Sequence, residues 1–371
     1  MIHTYAAAWK PCAVVAFRAV TTSEPLSDGR GRMPAIDGDR RPTSHDVALA
    51  AGVSQPTVSR ALRGDPSVAA ATRQRVLDAS DTLGYVPSER GRSLSTRRTG
   101  RIGVVVEDLG NPFYFELLDA LHDRLERSDK RMVVLTSGRG DPERLERLLD
   151  GSTDGVVLTT TLLGSELPAR LLERRFPFVL LNRIIDDVAA DSCSVANVDG
   201  AATIAAALVR HSHDNIAAVF GPSNTSTGRD REIGFRQALD KHRVALRPEL
   251  TRRGPFAHET GHRAIRELLS KRPRPTAVFC ANDVIAIGAL NAARALGIRV
   301  PDELSIVGFD DIGMAGWEVF QLTTVRQNLQ AMCETATDLL LARIAEPDRP
   351  PQQHVLPARL VRRATLARAP S

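Results

Sequence analysis

The chain has 371 residues, 43% hydrophobic and 25% charged, which excludes a disordered or collagen-like polymer and is too long for a single compact core. Its 49 Lys and Arg against 44 Asp and Glu give a net charge of +5, so mild that the location of the excess matters more than its size. No stretch approaches 18 uninterrupted apolar residues, which excludes a membrane-spanning helix. The four cysteines, Cys12, Cys193, Cys280 and Cys333, form no CxxC and fit a reducing compartment. The apolar run at 13–17 is too short for a secretory core, so a cytoplasmic location is expected.

Residues 1–42 carry no sustained period, and 23–42 are rich in Gly, Asp, Arg and Pro, so a disordered extension is expected. A helical block follows over 43–84. Thr43 and Asp46 have capping-box spacing, with Val47, Ala48 and Ala51 forming a short apolar face. Gly52 supplies a left-handed exit, and Ser54 is a cap for a second helix, 55–62, in which Pro56 is tolerated in the first turn. A third helix is expected over 70–83, with Val76, Ala79 and Leu83 on its packing face. A plain helical hairpin would read the same up to this point. The second helix tips the balance, because Gln55, Thr57, Ser59 and Arg60 are types that bond base edges and phosphates. Residues 43–101 hold nine Arg against five acidic residues, and the excess lies in 88–101, Arg92 included.

From residue 101 the pattern changes. Short, β-branched apolar runs at 102–106, 132–136, 155–159, 178–181, 216–220, 276–280 and 304–307 alternate with helical stretches such as 115–128, 201–212 and 283–296. Such runs suit strands buried on both faces of parallel sheets, and the length suggests two doubly wound halves. Ligands of such sheets bind beyond the carboxyl ends of the strands. The residues at those exits are Asn111 to Tyr114, Asn182 and Arg183, the loop 221–231 ending in Arg231, Asn282 and Asp283, and Asp310 and Asp311. Amide, guanidinium and carboxylate groups of this kind pair with vicinal hydroxyls, and an aromatic face such as Phe256 covers the apolar side of a sugar.

The stretch 43–62, with Thr72 and Arg73, the Gly-Tyr-Val-Pro turn at 84–87 and Leu94, resembles the N-terminal reader of the lactose/galactose repressor (LacI/GalR) family. The resemblance covers about residues 43–366. It implies an α/β chain with a helix-turn-helix headpiece (43–87), a hinge helix (88–99) and two doubly wound subdomains similar to periplasmic binding proteins. These would be 100–195 with about 328–355, and 196–327 with about 356–366. By the same resemblance Gln55, Pro56 and Arg60 stand at base-reading positions, supported by Thr43, Ser54, Thr57 and Ser59. Leu94 is the hinge residue that wedges into a minor groove beside Arg92. Asn182, Arg231, Asn282 and Asp310 match effector-contacting positions, joined by Phe113, by Phe256 as a stacking face and by Gln327. Val195 marks the first crossover between subdomains and 325–327 the last. The implied partners are a near-palindromic operator, a sugar or sugar-like effector and a second copy of the chain; no cofactor or metal is implied. Three departures stand out: Ala69 replaces a Ser cap, at a cost of about 1 kcal/mol; Ser88 replaces Asn; and Gly91 replaces a hinge Ala.

Other classes find less support. His258, Glu259 and His262 form a literal HExxH, but Gly261 inside it weakens the helix that a zinc protease needs. No GxGxxG follows the first strand, and neither a P-loop nor a GxSxG elbow is present. A solute-binding protein shares the core but has no use for 43–100, and a sugar-processing enzyme needs a catalytic pair that the sequence does not show.

Overall fold

The structure, a computed structural model, describes residues 42–86, 98–106, 109–136 and 148–370. The expected extension, up to residue 41, and most of the expected hinge, with Arg92 and Leu94, lie outside these. The chain divides into two compact units, Met1–Pro87 and Ser88–Ser371.

The first unit holds α1 (Ser44–Ala51), α2 (Gln55–Leu62) and α3 (Ala70–Leu83) around Val47, Ala48, Ala51, Val58, Ala61, Val68 and Val76. Asp46 Oδ2 accepts from both the Thr43 N–H and the Thr43 hydroxyl at 2.7 Å, which ties down the entry to α1. Gly52 ends α1 at φ +64°, and the N–H groups of Gly52 and Val53 close on Leu49 O and Ala48 O. Only a residue that tolerates this left-handed turn lets α2 start three residues later. Ser54 stands at the N-cap of α2, but its hydroxyl pairs with that of Thr57 at 2.8 Å instead of capping a backbone N–H. The expected side-chain cap there is therefore corrected. α3 starts from Ala69 with no side-chain cap.

In the second unit the elements run β1 (Arg101–Val105), α4 (Pro112–Glu126), β2 (Arg131–Leu135), β3 (Gly155–Leu158), α5 (Leu167–Glu173), β4 (Phe178–Leu181), β5 (Ser192–Val195) and α6 (Asn197–Arg210). They continue as β6 (Ile216–Phe220), α7 (Ser226–Lys241), β7 (Thr251–Arg253), α8 (His258–Leu268), β8 (Ala277–Cys280), α9 (Asp283–Ala295) and β9 (Ser305–Val307). The last elements are β10 (Thr324–Arg326), α10 (Leu329–Ala345), β11 (Gln353–Leu356) and β12 (Arg359–Val361). One parallel sheet has the order β11-β5-β4-β3-β1-β2 and the other β7-β6-β8-β9, while β10 and β12 form an antiparallel pair. The chain passes between the sheets after β5, after β10 and again after β11, so 325–327 is not the last crossing.

Strands β3, β4, β6 and β8 are buried throughout, which explains their unbroken apolar runs. β2 departs from that expectation: it is an edge strand, and Val134 is exposed. The HExxH segment opens α8, and the helix continues through Gly261. A Cβ on Gly261 would lie 1.8 Å from Ile285 O, and one on Gly288 2.0 Å from His258 O, so the two glycines let α8 and α9 cross in close contact. His258 Nε2 bonds Asn291 Nδ2 at 2.9 Å, and among the described residues no group of three His, Cys, Asp or Glu could hold a metal ion.

Candidate functional site

In the first unit, Val58 and Ala61 turn one side of α2 into the core. Gln55, Pro56 and Arg60 lie exposed, with Thr57 and Ser59 half-buried. Spacings of four residues, 55 with 59 and 56 with 60, stack these side chains on one face. Gln55 Nε2 donates to Ser44 Oγ at 3.2 Å, so the side chain already leans across α1. The α2–α3 turn is fixed by Asp65, whose Oδ1 accepts from Ser67 N–H at 2.9 Å and Ser67 Oγ–H at 2.7 Å. Those bonds hold the Asp65 carboxyl below its ordinary range. Arg73 Nη2 clamps the same turn through Gly64 O and Asp65 O. The structure thus presents a rigid polar helix face, with Thr43 and Ser54 at its two entry turns.

In the second unit a cleft lies between the carboxyl ends of the two parallel sheets, where doubly wound folds place ligands. One wall carries Asn111, Phe113, Tyr114, Asn182 and Arg183; the other carries Thr227, Arg231, Phe256, Asn282 and Asp310. Asn111, Asn182, Arg183, Phe256, Asn282 and Asp310 stand in the connections after strands, Phe113 and Tyr114 open α4, and Thr227 and Arg231 lie in the first two turns of α7. Asn111 caps α4 by accepting from Phe113 N–H at 3.1 Å, and Asn282 caps α9 by accepting from Ile285 N–H at 3.0 Å. Asn182 has φ +70°, and its buried Oδ1 has no partner.

Arg231 and Asp310 form the polar centre. The Arg231 guanidinium donates to Asp310 Oδ1 at 2.9 Å, to Asn197 Oδ1 at 2.8 Å and to Ala281 O at 2.7 Å, and lies 3.8 Å from the Phe309 ring centroid. Burial pushes Arg231 down and Asp310 up from their ordinary values, and their mutual attraction opposes both shifts. Behind them, Asp283 accepts from Thr324 Oγ–H and Ile312 N–H. Burial, reinforced by the charge of Asp310, drives its carboxyl well up toward the neutral form.

The walls are joined on both sides of the cleft. Leu163 N–H donates to Asn224 O at 2.9 Å, Ile184 N–H to Ser226 Oγ at 3.0 Å and Gly313 N–H to Glu116 Oε1 at 2.7 Å, and Arg229 pairs with Asp186. The cavity between the walls is only about 20 Å³, far below the roughly 300–1,000 Å³ of pockets for drug-sized ligands. The cleft is therefore nearly filled, and a sugar of any size requires the walls to part.

Six of the seven residues anticipated for the cleft meet there: Phe113, Asn182, Arg231, Phe256, Asn282 and Asp310. Gln327 is not among the residues that line it; its Nε2 donates to Asp310 Oδ1 at 2.7 Å, and its buried Oε1 has no partner. Asn111, Tyr114, Arg183 and Thr227 also line the cleft. The sequence placed them at strand exits but not among the residues expected to contact the effector.

Residues 43–88 match the family described as bacterial regulatory proteins, lacI family, and residues 205–366 match the periplasmic binding protein-like domain. The ribose operon repressor of Haemophilus influenzae is 32% identical over 311 residues, 82% of this chain and 93% of the relative. The structure of a transcriptional regulator CelR–cellobiose complex is similar at a TM-score of 0.67 and 32% identity, covering 88% of this chain and 100% of that one. The lac repressor dimer bound to operator and the anti-inducer ONPF is similar at a TM-score of 0.81 and 27% identity, with the same coverage.

Proposed function

The chain belongs to the LacI family of bacterial regulatory proteins and is a DNA-binding transcriptional regulator, and from that premise we propose a repressor whose operator affinity is set by a sugar held in the cleft. The observation that carries this reading is the convergence of polar side chains from both sheets on one closed cleft, in the same chain as a headpiece with a polar α2 face. The reading is supported by the cellobiose of the CelR complex and by the ribose operon repressor.

In the reading we propose, Gln55, Pro56 and Arg60 contact base edges, while Thr43, Ser54, Thr57 and Ser59 bond the backbone beside them. Arg92 and Leu94 extend the contact into the minor groove. Asp310, Asn182, Arg231 and Asn282 bond effector hydroxyls, with Phe113 and Phe256 against the apolar faces of the ring. Gln327 orients Asp310 through its Nε2 and offers its unpartnered Oε1 to the effector. The chain works in the cytoplasm as a homodimer, as the lac repressor dimer suggests, and two-fold symmetry then requires a near-palindromic operator. Because the effector bridges two walls, its binding changes their relative position, and that movement is the route to the headpieces. No cofactor and no catalytic step enters the scheme.

A gel shift with the chain's own upstream DNA, against random DNA of equal length and with a panel of sugars, tests the scheme. It predicts a discrete complex on the upstream fragment alone and a change in its affinity with one sugar or sugar derivative. Equal binding to both DNAs would contradict it. The same panel in a thermal-shift screen reports cleft binding, since a ligand at 100 times its Kd stabilises by about 2.7 kcal/mol.

A further inference from the structure

The stretch of chain that joins the headpiece to the core reaches β1 through Thr99 and Gly100, and one carboxylate clamps both residues. Asp154 Oδ1 accepts from the Thr99 N–H at 2.5 Å and from the Thr99 hydroxyl at 2.8 Å, and its Oδ2 accepts from the Gly100 N–H at 2.9 Å. The Asp154 N–H donates in turn to Arg101 O at 2.8 Å. Four bonds thus hold three consecutive residues. The turn that presents Asp154 is itself braced, with Gly151 at φ +78° and Asp150 Oδ1 accepting from the Ser152 N–H at 2.7 Å. The register of β1 does not require this carboxylate. β1 pairs with β2 from Arg101 opposite Arg131 and with β3 from Ile102 opposite Gly155, whereas Thr99 and Gly100 precede the strand. Asp154 also stands at the end of β3 that faces away from the cleft. At the other end, Thr160 O accepts from the cleft residue Arg183 at 3.2 Å. β3 between them is buried throughout, and a rise of about 3.3 Å per residue separates clamp from cleft by on the order of 20 Å. A movement of that wall is carried along a strand packed on both faces to the residues that bear the headpiece.

We propose that Asp154 is a positioning residue for operator recognition: its clamp on Thr99 and Gly100 fixes where the core of each subunit delivers its headpiece. This rests on the reading above of a dimer on a two-part operator. Two linked modules bind two half-sites well only while their tethers hold them at the matching separation. Non-specific binding through phosphates makes no such demand. Without the carboxylate, the backbone of residues 99 and 100 becomes free to rotate in both subunits, and the spacing of the two headpieces spreads. Operator affinity then falls although neither α2 nor the cleft has been touched.

The test is fluorescence anisotropy of the full chain on its own upstream DNA and on random DNA of equal length, with a melting curve for each variant. Asp154→Asn keeps the size of the side chain but sets an amide NH2 against one of the N–H groups it faces. It is expected to lose on the order of tenfold on the upstream fragment and to keep its affinity for random DNA, so the ratio of the two falls. Thr99→Val removes the hydroxyl contact and leaves the carboxylate in place; a smaller fall is expected, and this variant decides the question if Asp154→Asn does not fold. A merely structural role would lower the melting temperature and leave the ratio unchanged. An unchanged ratio in the deciding variant therefore overturns the proposal, whatever its melting temperature. An unmodified chain that binds both DNAs equally overturns the operator reading and the proposal with it. The two failures are distinguishable, because one is seen in the variant and the other in the unmodified chain.

Discussion

Replacing Arg231 by Ala removes three donated hydrogen bonds at once, and leaves the Asp310 carboxylate, Asn197 Oδ1 and Ala281 O in a buried site without that partner. Breaking a buried ion pair from one side costs about 3–5 kcal/mol. At roughly 2–4 °C per kcal/mol for a domain of this size, the core should unfold about 10 °C lower. The loss depends on pH. Burial already raises the Asp310 carboxyl above its ordinary value, and without the opposing charge of Arg231 it rises further. A carboxyl with a raised folded pKa favours the folded state while protonated and loses that contribution as pH rises through the folded value. The deficit of Arg231→Ala must therefore be larger at pH 8 than at pH 5. Pairing Arg231→Met with Asp310→Leu removes the stranded charge and should recover most of the stability. Thermal unfolding followed by circular dichroism at the two pH values measures all of this. A deficit that is equal at both pH values, or no recovery in the double variant, would refute the assignment of Arg231 as the counter-ion of Asp310.

At the headpiece, Gln55→Ala or Arg60→Ala should cost about 1–3 kcal/mol of operator affinity by fluorescence anisotropy, relaxing one position of each half-site; equal loss on random DNA would reduce the residue to a phosphate contact. Asn182→Gly keeps the left-handed backbone at φ +70° while deleting the orphan Oδ1. It should weaken effector binding about tenfold with little change in melting temperature, given the usual worth of one buried hydrogen bond; a large loss of stability instead would make Asn182 a structural residue. His213 is buried between Thr276 Oγ1 at 2.9 Å and Ala367 O at 3.0 Å, and burial lowers its pKa from 6.5. The unfolded chain then takes the proton first, so stability should fall as pH drops from 6.5 toward the lower folded value, and His213→Gln should flatten that slope. A slope unchanged in the variant assigns it to other groups.

How far the sequence could be read depended on whether a residue's role was set locally or by a distant partner. The three headpiece helices were legible because Gly52 and the spacing of Val47, Ala48, Ala51 and Val58 act within a few residues of one another. The cleft was legible as a set, because a polar residue that ends an apolar run stands at the carboxyl edge of a parallel strand. What each polar residue does there was not. Asn111 and Asn282 use their carbonyl oxygens as helix caps, Gln327 donates to Asp310, and the buried Nε of Arg183 has no partner. The two caps are local, but Gln327 and Arg231 take partners from tens of residues away along the chain. The same holds for Gly261, which reads as a helix weakener in isolation and as a contact point once Gly288 is seen opposite it. Ser54 failed for a smaller reason, since Thr57 offers its hydroxyl a partner as close as the backbone does.

In the proposed scheme one chain reads DNA with α2 and a ligand with the cleft, and the two are coupled. Anisotropy titration of the full chain on its own upstream DNA, with and without the ligand found in the thermal-shift screen, measures that coupling. Tight binding to the upstream site is expected, with a change of at least tenfold in that affinity with ligand, and with loss of the ligand response but not of DNA binding in Asp310→Asn. A ligand that occupies the cleft and leaves operator affinity unchanged would contradict it.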